Sequence, residues 1–218
     1  MTEPIVRQPP TAPEIARPDA HAVFVAYWYV EDGEQGRAVL DEIADAWQQA
    51  ERPEELLSLS CYLSTDDDTV LTYVQCTDRA AYQPFASRLP SASARVVPIE
   101  FRLHRSVLLN PQAGPTNALV TALFDVDGAE RQRRIVASVA ENLERAPADE
   151  YTGLIASHFH LSADGTRVIN FAEWTSDEAH VVFLDGATRH SSLRITHDMP
   201  GVRPIGYRRY HLYRSVGS

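Results

Sequence analysis

The sequence contains no lysine: all 20 basic residues among its 218 are arginine, and 30 acidic residues bring the formal charge to −10. The absence of lysine excludes Schiff-base chemistry, covalent attachment of pyridoxal phosphate and the lysine of a phosphate-binding loop. An acidic chain also lacks the dense positive charge that binds nucleic acids and anionic membranes. We therefore expect neither a nucleic acid nor a membrane surface among its partners.

Cysteine and long apolar runs are also scarce. The chain has two cysteines, Cys61 and Cys76, whereas a secreted scaffold of this size usually carries more, so a reducing compartment fits better. The longest apolar run, residues 22–30, is far shorter than the ~20 residues that span a bilayer. The first residues contain no apolar core of a secretion signal. These absences predict a cytoplasmic protein.

Proline marks two segments outside the predicted core. Residues 1–20 contain five prolines, which oppose helix formation, so this segment is predicted to be an extended arm. Residues 111–116, Pro-Gln-Ala-Gly-Pro-Thr, have the composition of a linker. The chain therefore divides into an arm (1–20), a first unit (21–110), the linker (111–116) and a second unit (117–218).

The two units repeat one another. Residues 62–82 align with 160–180 at a constant offset of 98, and six of the 21 pairs are identical. Residues 103–107 match 212–216 at an offset of 109, and residues 25–33 match 120–128 at an offset of 95. The increase from 98 to 109 places about 11 extra residues in the second unit, between residue 180 and its last strand. Self-similarity of this kind decides the fold.

Each unit has the same predicted order of elements. A strand (22–30 or 118–126) precedes a helix (35–50 or 129–145) with helical spacing of its apolar residues. A hairpin follows, with an Asp-Gly turn in the second unit, and then a short helix and a last strand (99–108 or 205–216). The order βαββαβ is the ferredoxin-like motif. Because one such sheet leaves an apolar face open, we predict an α+β fold of two tandem ferredoxin-like repeats that form one intramolecular barrel.

The second hairpin carries the polar residues of most interest. Asn170 and Trp174 share one face of a strand, and His158 and His160 share a face of the preceding strand. A buried Asn170 would need a partner, which is either a substrate oxygen or the backbone. Core packing is the alternative for Trp174, and an ordinary strand position is the alternative for His160.

The residues Ser162-x-Asp-Gly-Thr-Arg-Val-x-Asn-Phe-x-x-Trp-x-Ser-x-Glu-Ala-His resemble the antibiotic biosynthesis monooxygenase family. Within it, the pattern is most similar to the anthrone oxygenases of aromatic polyketide pathways. The resemblance covers residues 21–110 and 117–216, but only the second unit carries the motif. It implies a small α+β barrel, normally built from two chains. It also implies that the catalytic residues are His160, Asn170 and Trp174 and that the substrate-binding residues include Arg194, with His158 and His180 as further candidates.

The first unit departs from this pattern. At the offset of 98, the three positions that match the implied catalytic residues hold Tyr62, Thr72 and Cys76. Cys76 has no lysine nearby and no evident setting that would lower its pKa, so we expect a buried, inert thiol. The first unit then either completes the barrel or contains a differently shaped pocket.

The resemblance implies an oxygenase that acts on a polycyclic aromatic polyketide intermediate in antibiotic biosynthesis. An anthrone-type substrate loses a proton to give an electron-rich anion, which can pass one electron to molecular oxygen and recombine with it. His160 would be the base, Asn170 would donate to the developing oxyanion, and Trp174 would flank the rings. This scheme needs no cofactor besides oxygen as co-substrate.

Several alternatives stay open. The same fold could serve a ring-opening oxygenase that receives reduced flavin from a partner reductase, or a ligand-binding module without catalysis. His158 and His160 could hold a metal with one of His180, His190 and His197, but no carboxylate stands at a fixed ligand spacing, so we expect no metal. The fused unit could also form a homodimer.

Overall fold

The computed structural model of the chain describes residues 12–89 and 96–217. Within these residues the chain forms eight strands: β1 (Ala22–Tyr29), β2 (Leu56–Ser64), β3 (Thr69–Cys76), β4 (Ile99–Leu108), β5 (Ala118–Val126), β6 (Leu154–Ser162), β7 (Arg167–Trp174) and β8 (Val202–Gly217). It also forms five α-helices: α1 (Gly33–Gln49), α2 (Tyr82–Ala86), α3 (Ala129–Arg145), α4 (Asp177–Leu184) and α5 (Ala187–His197). Short 3₁₀ turns occupy Arg79–Ala81 and Ala148–Tyr151. None of the described helices combines the length and apolarity needed to cross a membrane.

The strands form one closed antiparallel barrel in the order β1-β3-β2-β8-β5-β7-β6-β4. The last strand of each unit joins the two units: β4 pairs with β1 of its own unit and with β6, and β8 pairs with β5 of its own unit and with β2. The pairing between units closes the barrel and buries the apolar face that each ferredoxin-like sheet would otherwise expose. The predicted α+β fold, with both repeats in one intramolecular barrel, is confirmed.

The strand registers repeat with the predicted offsets. Val107 of β4 lies opposite Ser157, and Val216 of β8 lies opposite Leu59. The two valines are 109 residues apart and their two partners are 98 residues apart, which are the offsets of the sequence alignment. Each of these two junctions also carries a bulge at the matching place, one in β4 and one in β8. The two units are therefore related by a pseudo-twofold axis through the barrel.

The first strands correct the alignment made from sequence. Ala22 and Ala118 occupy matching positions, since each lies opposite the last residue of the third strand of its unit. Their offset is 96, so the predicted offset of 95 is wrong by one residue. A slip of one residue moves a strand's side chains to the opposite face. Val25 accordingly lies in the barrel interior, whereas Val120 lies beneath the helices.

The apolar residues divide into three clusters. One fills the barrel interior, the second lies between the first unit's strands and α1–α2, and the third lies between the second unit's strands and α3–α5. In the second cluster α1 buries Leu40, Ile43 and Trp47 at helical spacing. Each large side chain so buried contributes about 1.5–3 kcal/mol. The helices are thereby fixed on the outer face of the barrel.

Residues 12–20, the described part of the proline-rich arm, close one end of the barrel. Residues 1–11 lie outside the described residues, and residues 12–20 form turns rather than a fully extended segment. Ile15 is only 4% exposed and belongs to the interior cluster. The Gln75 amide donates to the Glu14 carbonyl at 3.0 Å, which ties the arm to β3.

Candidate functional site

A cavity lies between the outer face of the second unit's strands and helices α3–α5. The volume open to the centre of a water molecule is about 170 Å³. Most of its wall is apolar, including Val120, Phe124, Leu143 and Phe183. Its polar groups come from five different elements and converge on this space: Ser157, Asn170, Trp174, His180, Arg189, Ser192 and Tyr207.

Three of the predicted site residues line this cavity: Asn170, Trp174 and His180. Asn170 and Trp174 project from the same face of β7, as predicted. The Asn170 amide oxygen accepts a hydrogen bond from Ser157 Oγ at 2.8 Å, which leaves its NH₂ group as a donor. The buried Trp174 Nε1 has no hydrogen-bond partner among the described residues. A buried donor without an acceptor costs about 1–3 kcal/mol, which a bound oxygen atom would recover.

His180 is the titratable group of the cavity. It lies on α4, which begins after Ser176, whose hydroxyl accepts from the Ala179 N–H and caps the helix. Its ring lies 5.2 Å from the Trp174 ring, and its Nδ1 is buried without a partner among the described residues. Burial, aided by the charges of nearby arginines, lowers the pKa of His180 to about 4. The imidazole is therefore neutral at pH 7 and can accept a proton.

Arg189 supplies positive charge to the same cavity. Its guanidinium lies 5.9 Å from the centre of the Tyr207 ring. No carboxylate among the described residues forms an ion pair with it, in contrast to Arg208 and Arg214 elsewhere on the barrel. A half-buried guanidinium without a carboxylate is suited to bind an anionic oxygen.

Helix α5 is the wall that the second unit gained. It contains 11 residues and fills the place of the predicted insertion between residue 180 and the last strand. The Asn142 amide nitrogen donates to Ser192 Oγ at 2.9 Å, and Glu150 accepts from the Thr188 N–H at 2.6 Å. These bonds hold α5 against α3 and against the 3₁₀ turn Ala148–Tyr151, so that one face of the insertion closes the cavity.

Arg194, the substrate-binding arginine that the family resemblance implied, does not line this cavity. Arg194 is exposed and lines a shallow groove with His190 and His197 on the outside of α5. Arg189 and Arg194 are five residues apart, which rotates them by about 140° around a helix axis. The arginine that enters the cavity is therefore Arg189.

His160 does not share the cavity with Asn170, so the expectation of a joint site is wrong. Phe159 lies opposite Asn170, and His160 faces the barrel interior. It is 0% exposed; its Nδ1–H donates to the His158 carbonyl at 3.2 Å, and its Nε2 accepts from the Tyr73 hydroxyl at 3.0 Å. Burial lowers the pKa of His160 to about 3. His160 is thus a neutral, fully bonded interior residue.

His158 also lies inside the barrel. It is hydrogen-bonded to Ser106 Oγ at 2.8 Å through Nδ1 and to Glu173 Oε2 at 3.0 Å through Nε2. His158 and His180 are consequently on opposite sides of the strands, which separates the predicted substrate-binding pair. In residues 12–89 and 96–217, no three His, Cys, Asp or Glu side chains are grouped as a metal site would require.

The matching region of the first unit is nearly filled. The volume open to a water centre beside Thr72 is about 30 Å³. Tyr82, which matches His180, stacks on Phe24 at 4.0 Å, and the described part of this unit has no counterpart of α5. Cys76 is fully buried, and burial raises its pKa to about 12, so its thiol stays protonated. This agrees with the inert thiol expected from sequence.

Arg189, Ser157 and Tyr207 were not identified from the sequence. The hairpin register could have indicated Ser157. The Asp-Gly turn pairs Leu161 with Val168 and therefore Phe159 with Asn170. Ser157, two residues before Phe159, then lies on the same face of the sheet as Asn170. Helical spacing within the insertion places Arg189 on one face with Ser192, Leu193 and Thr196.

No protein-family model and no curated protein matches the sequence. Solved structures do match its fold. An anthrone oxidase-like protein is 14% identical with a TM-score of 0.72, over 91% of this chain and 94% of that one. A ferredoxin-fold protein related to antibiotic biosynthesis monooxygenases, from Listeria monocytogenes, is 10% identical with a TM-score of 0.54, over 89% and 95%. A monooxygenase-like protein from Listeria innocua is 11% identical with a TM-score of 0.54, over 89% and 94%. At these identities, the similarity shows a shared fold.

Proposed function

We propose that this protein is an oxygenase that acts on an electron-rich polycyclic phenol of the anthrone type. The observation that carries the proposal is the convergence of complementary groups in one apolar cavity. The imidazole Nδ1 of His180 and the indole N–H of Trp174 lack hydrogen-bond partners among the described residues, and the guanidinium of Arg189 forms no ion pair with a described carboxylate. The fold shared with an anthrone oxidase-like protein and with monooxygenase-like proteins supports the same reaction class.

The first step would be removal of a proton from the acidic carbon between the two aromatic rings. His180 is the cavity's neutral base, and its unpartnered Nδ1 is the atom that would take the proton. The negative charge spreads onto the substrate's oxygen. Arg189 and the Asn170 NH₂ group would hold that oxygen, and this would favour the anion.

The anion would then react with molecular oxygen. It passes one electron to oxygen, and the resulting carbon radical and superoxide combine to form a carbon–oxygen bond. The proton held by His180 goes to the peroxide oxygen, and loss of water with the second carbon-bound hydrogen leaves a carbonyl. The balance is one CH₂ group and one O₂ converted to one C=O and one water, so this route needs no further reductant. The apolar wall would protect the anion from water.

The test is oxygen uptake by the purified, chelator-treated protein with anthrone-type phenols. We expect one O₂ consumed for each quinone formed, followed by the quinone's absorbance, without added cofactor. A second reaction contains reduced flavin and a reductase, and activity only there would replace the cofactor-independent scheme by a flavin-dependent one. If neither reaction exceeds the rate without protein, while the phenols bind, the protein is a ligand-binding module and the proposal is wrong.

A further inference from the structure

The barrel has a second cavity at the end opposite the arm. At the arm's end, only about 20 Å³ remains open to a water centre beside Ile15. At the other end the open volume is about 150 Å³. This is close to the volume of the cavity between the second unit's strands and helices α3–α5, which we call the functional cavity. We call this second space the mouth cavity; its aromatic and polar lining includes Tyr27, Tyr29, Thr69, Thr121, Arg208 and Tyr210.

The mouth cavity is distinct from the functional cavity in position and in chemistry. The two lie on opposite faces of the barrel wall and share only Gly206 and Tyr207 of β8. Neither His180 nor Arg189 lines the mouth. Ring faces and hydroxyl groups from three tyrosines, Tyr27, Tyr29 and Tyr210, line it, a composition suited to a planar aromatic molecule. The ring of the shared Tyr207 lies beside His180 and Arg189.

The charges at the mouth are already paired. The Arg208 guanidinium forms an ion pair with Asp68, lies 4.0 Å from Asp66 and sits over the Tyr29 ring at 5.5 Å. Burial raises the pKa of Tyr210, so its hydroxyl stays protonated. A ligand therefore meets neutral hydroxyls and a compensated arginine, and the nearby carboxylates oppose an anion.

We propose that the mouth cavity is a second binding site, which takes an uncharged planar aromatic molecule with hydroxyl or carbonyl groups, such as a neutral phenol or a quinone. The tyrosine rings would pack on its faces, and the hydroxyls of Tyr27, Thr121 and Tyr210 would pair with its oxygens. The functional cavity, with its unpaired Arg189, favours an anion instead. The inference needs no catalysis and stands apart from the proposed function.

The test compares two probes of equal shape and different charge at pH 7: 2-naphthol, which is neutral, and 2-naphthoate, which is anionic. Binding is measured by equilibrium dialysis with the full chain and two mouth variants. Tyr29→Ala removes a wall residue that is 74% exposed, so the variant should fold normally. Thr121→Leu fills part of the cavity. Arg189→Gln is the control that alters only the functional cavity.

We expect Tyr29→Ala and Thr121→Leu to weaken 2-naphthol binding at least about fivefold. Arg189→Gln should leave the affinity for 2-naphthol unchanged. Binding of 2-naphthoate should not respond to either mouth variant. The inference is wrong if 2-naphthol does not bind or if Tyr29→Ala leaves its affinity unchanged. It is also wrong if 2-naphthoate depends on the mouth variants as strongly as 2-naphthol does. If Thr121→Leu fails to fold, Tyr29→Ala decides the test alone.

Discussion

Substitution of His180 by glutamine removes the proposed base and keeps a polar side chain in the cavity. With a pKa of about 4, the wild-type imidazole is only about 0.1% protonated at pH 7, so nearly every molecule carries the active form. A positioned base contributes roughly 10²–10⁴-fold to a rate. We therefore expect kcat for oxygen uptake to fall at least about 100-fold in His180→Gln. In the wild type, the acidic limb of kcat/KM should lie near pH 4 rather than near 6.5.

His160→Gln is the matched control, since both histidines are buried in the second unit with lowered pKa values. His160→Gln disrupts two buried hydrogen bonds, to the Tyr73 hydroxyl and to the His158 carbonyl, at about 1–3 kcal/mol for each. Its melting temperature should fall while the turnover of the folded protein changes less than about twofold. His180→Gln breaks no bond at Nδ1 and should lose turnover with a smaller change in melting temperature.

These two variants can refute the assignment of the base. If His160→Gln lost turnover at intact fold while His180→Gln kept it, the reaction would occur in the barrel interior. Loss of turnover in neither variant would remove histidine base catalysis from the mechanism.

Three further predictions concern other residues. Asn170→Ala should lower kcat at least about tenfold because it removes an oxyanion donor, whereas Thr72→Ala, in the nearly filled first unit, should change kcat less than about twofold. Arg189→Gln should raise KM for a phenolate at least about tenfold in steady-state assays, whereas Arg194→Gln, on the outer face of α5, should leave KM unchanged. The free energy of unfolding should fall as pH decreases from about 6.5 towards 3, because the unfolded imidazole of His160 takes up a proton before the buried one does. The contribution is on the order of 4 kcal/mol, and urea unfolding at several pH values, with His160→Gln as reference, measures it.

Equal losses of kcat in Asn170→Ala and Thr72→Ala would contradict the asymmetry between the units. A higher KM in Arg194→Gln than in Arg189→Gln would place the substrate on the outer groove. Identical pH dependence of unfolding in the wild type and His160→Gln would show that this histidine does not titrate differently in the two states.

The fold could be predicted from the repeat because the strand pairing between the two units preserves it. Val107 and Val216 lie 109 residues apart, and their partners lie 98 residues apart. The offsets found in the sequence repeat are therefore the separations between residues that the pseudo-twofold axis of the barrel relates. The first strands could not be aligned with an accuracy of one residue. Because β1 and β5 are apolar on both faces, matching apolar residues looks equally good when one strand is shifted by one residue.

The positions of the candidate site residues could be predicted within one strand but not between different elements. Asn170 and Trp174 belong to one strand, and alternation alone places them on one face. The face of His160 depends on the register between two strands, and the direction of Arg189 depends on the phase of an inserted helix. Neither is fixed by spacing within a single element, so the sequence-based choices fell on His160 and Arg194.

The central claim is that the second unit's cavity is the working site, and a crystal structure of the protein with a bound tricyclic phenol tests it most directly. The account predicts the rings between β7 and α5, with a phenol oxygen within hydrogen-bond distance of Arg189 or Asn170 and the central carbon facing His180. A ligand found beside Thr72 in the first unit, or against His160 in the barrel interior, would contradict the account.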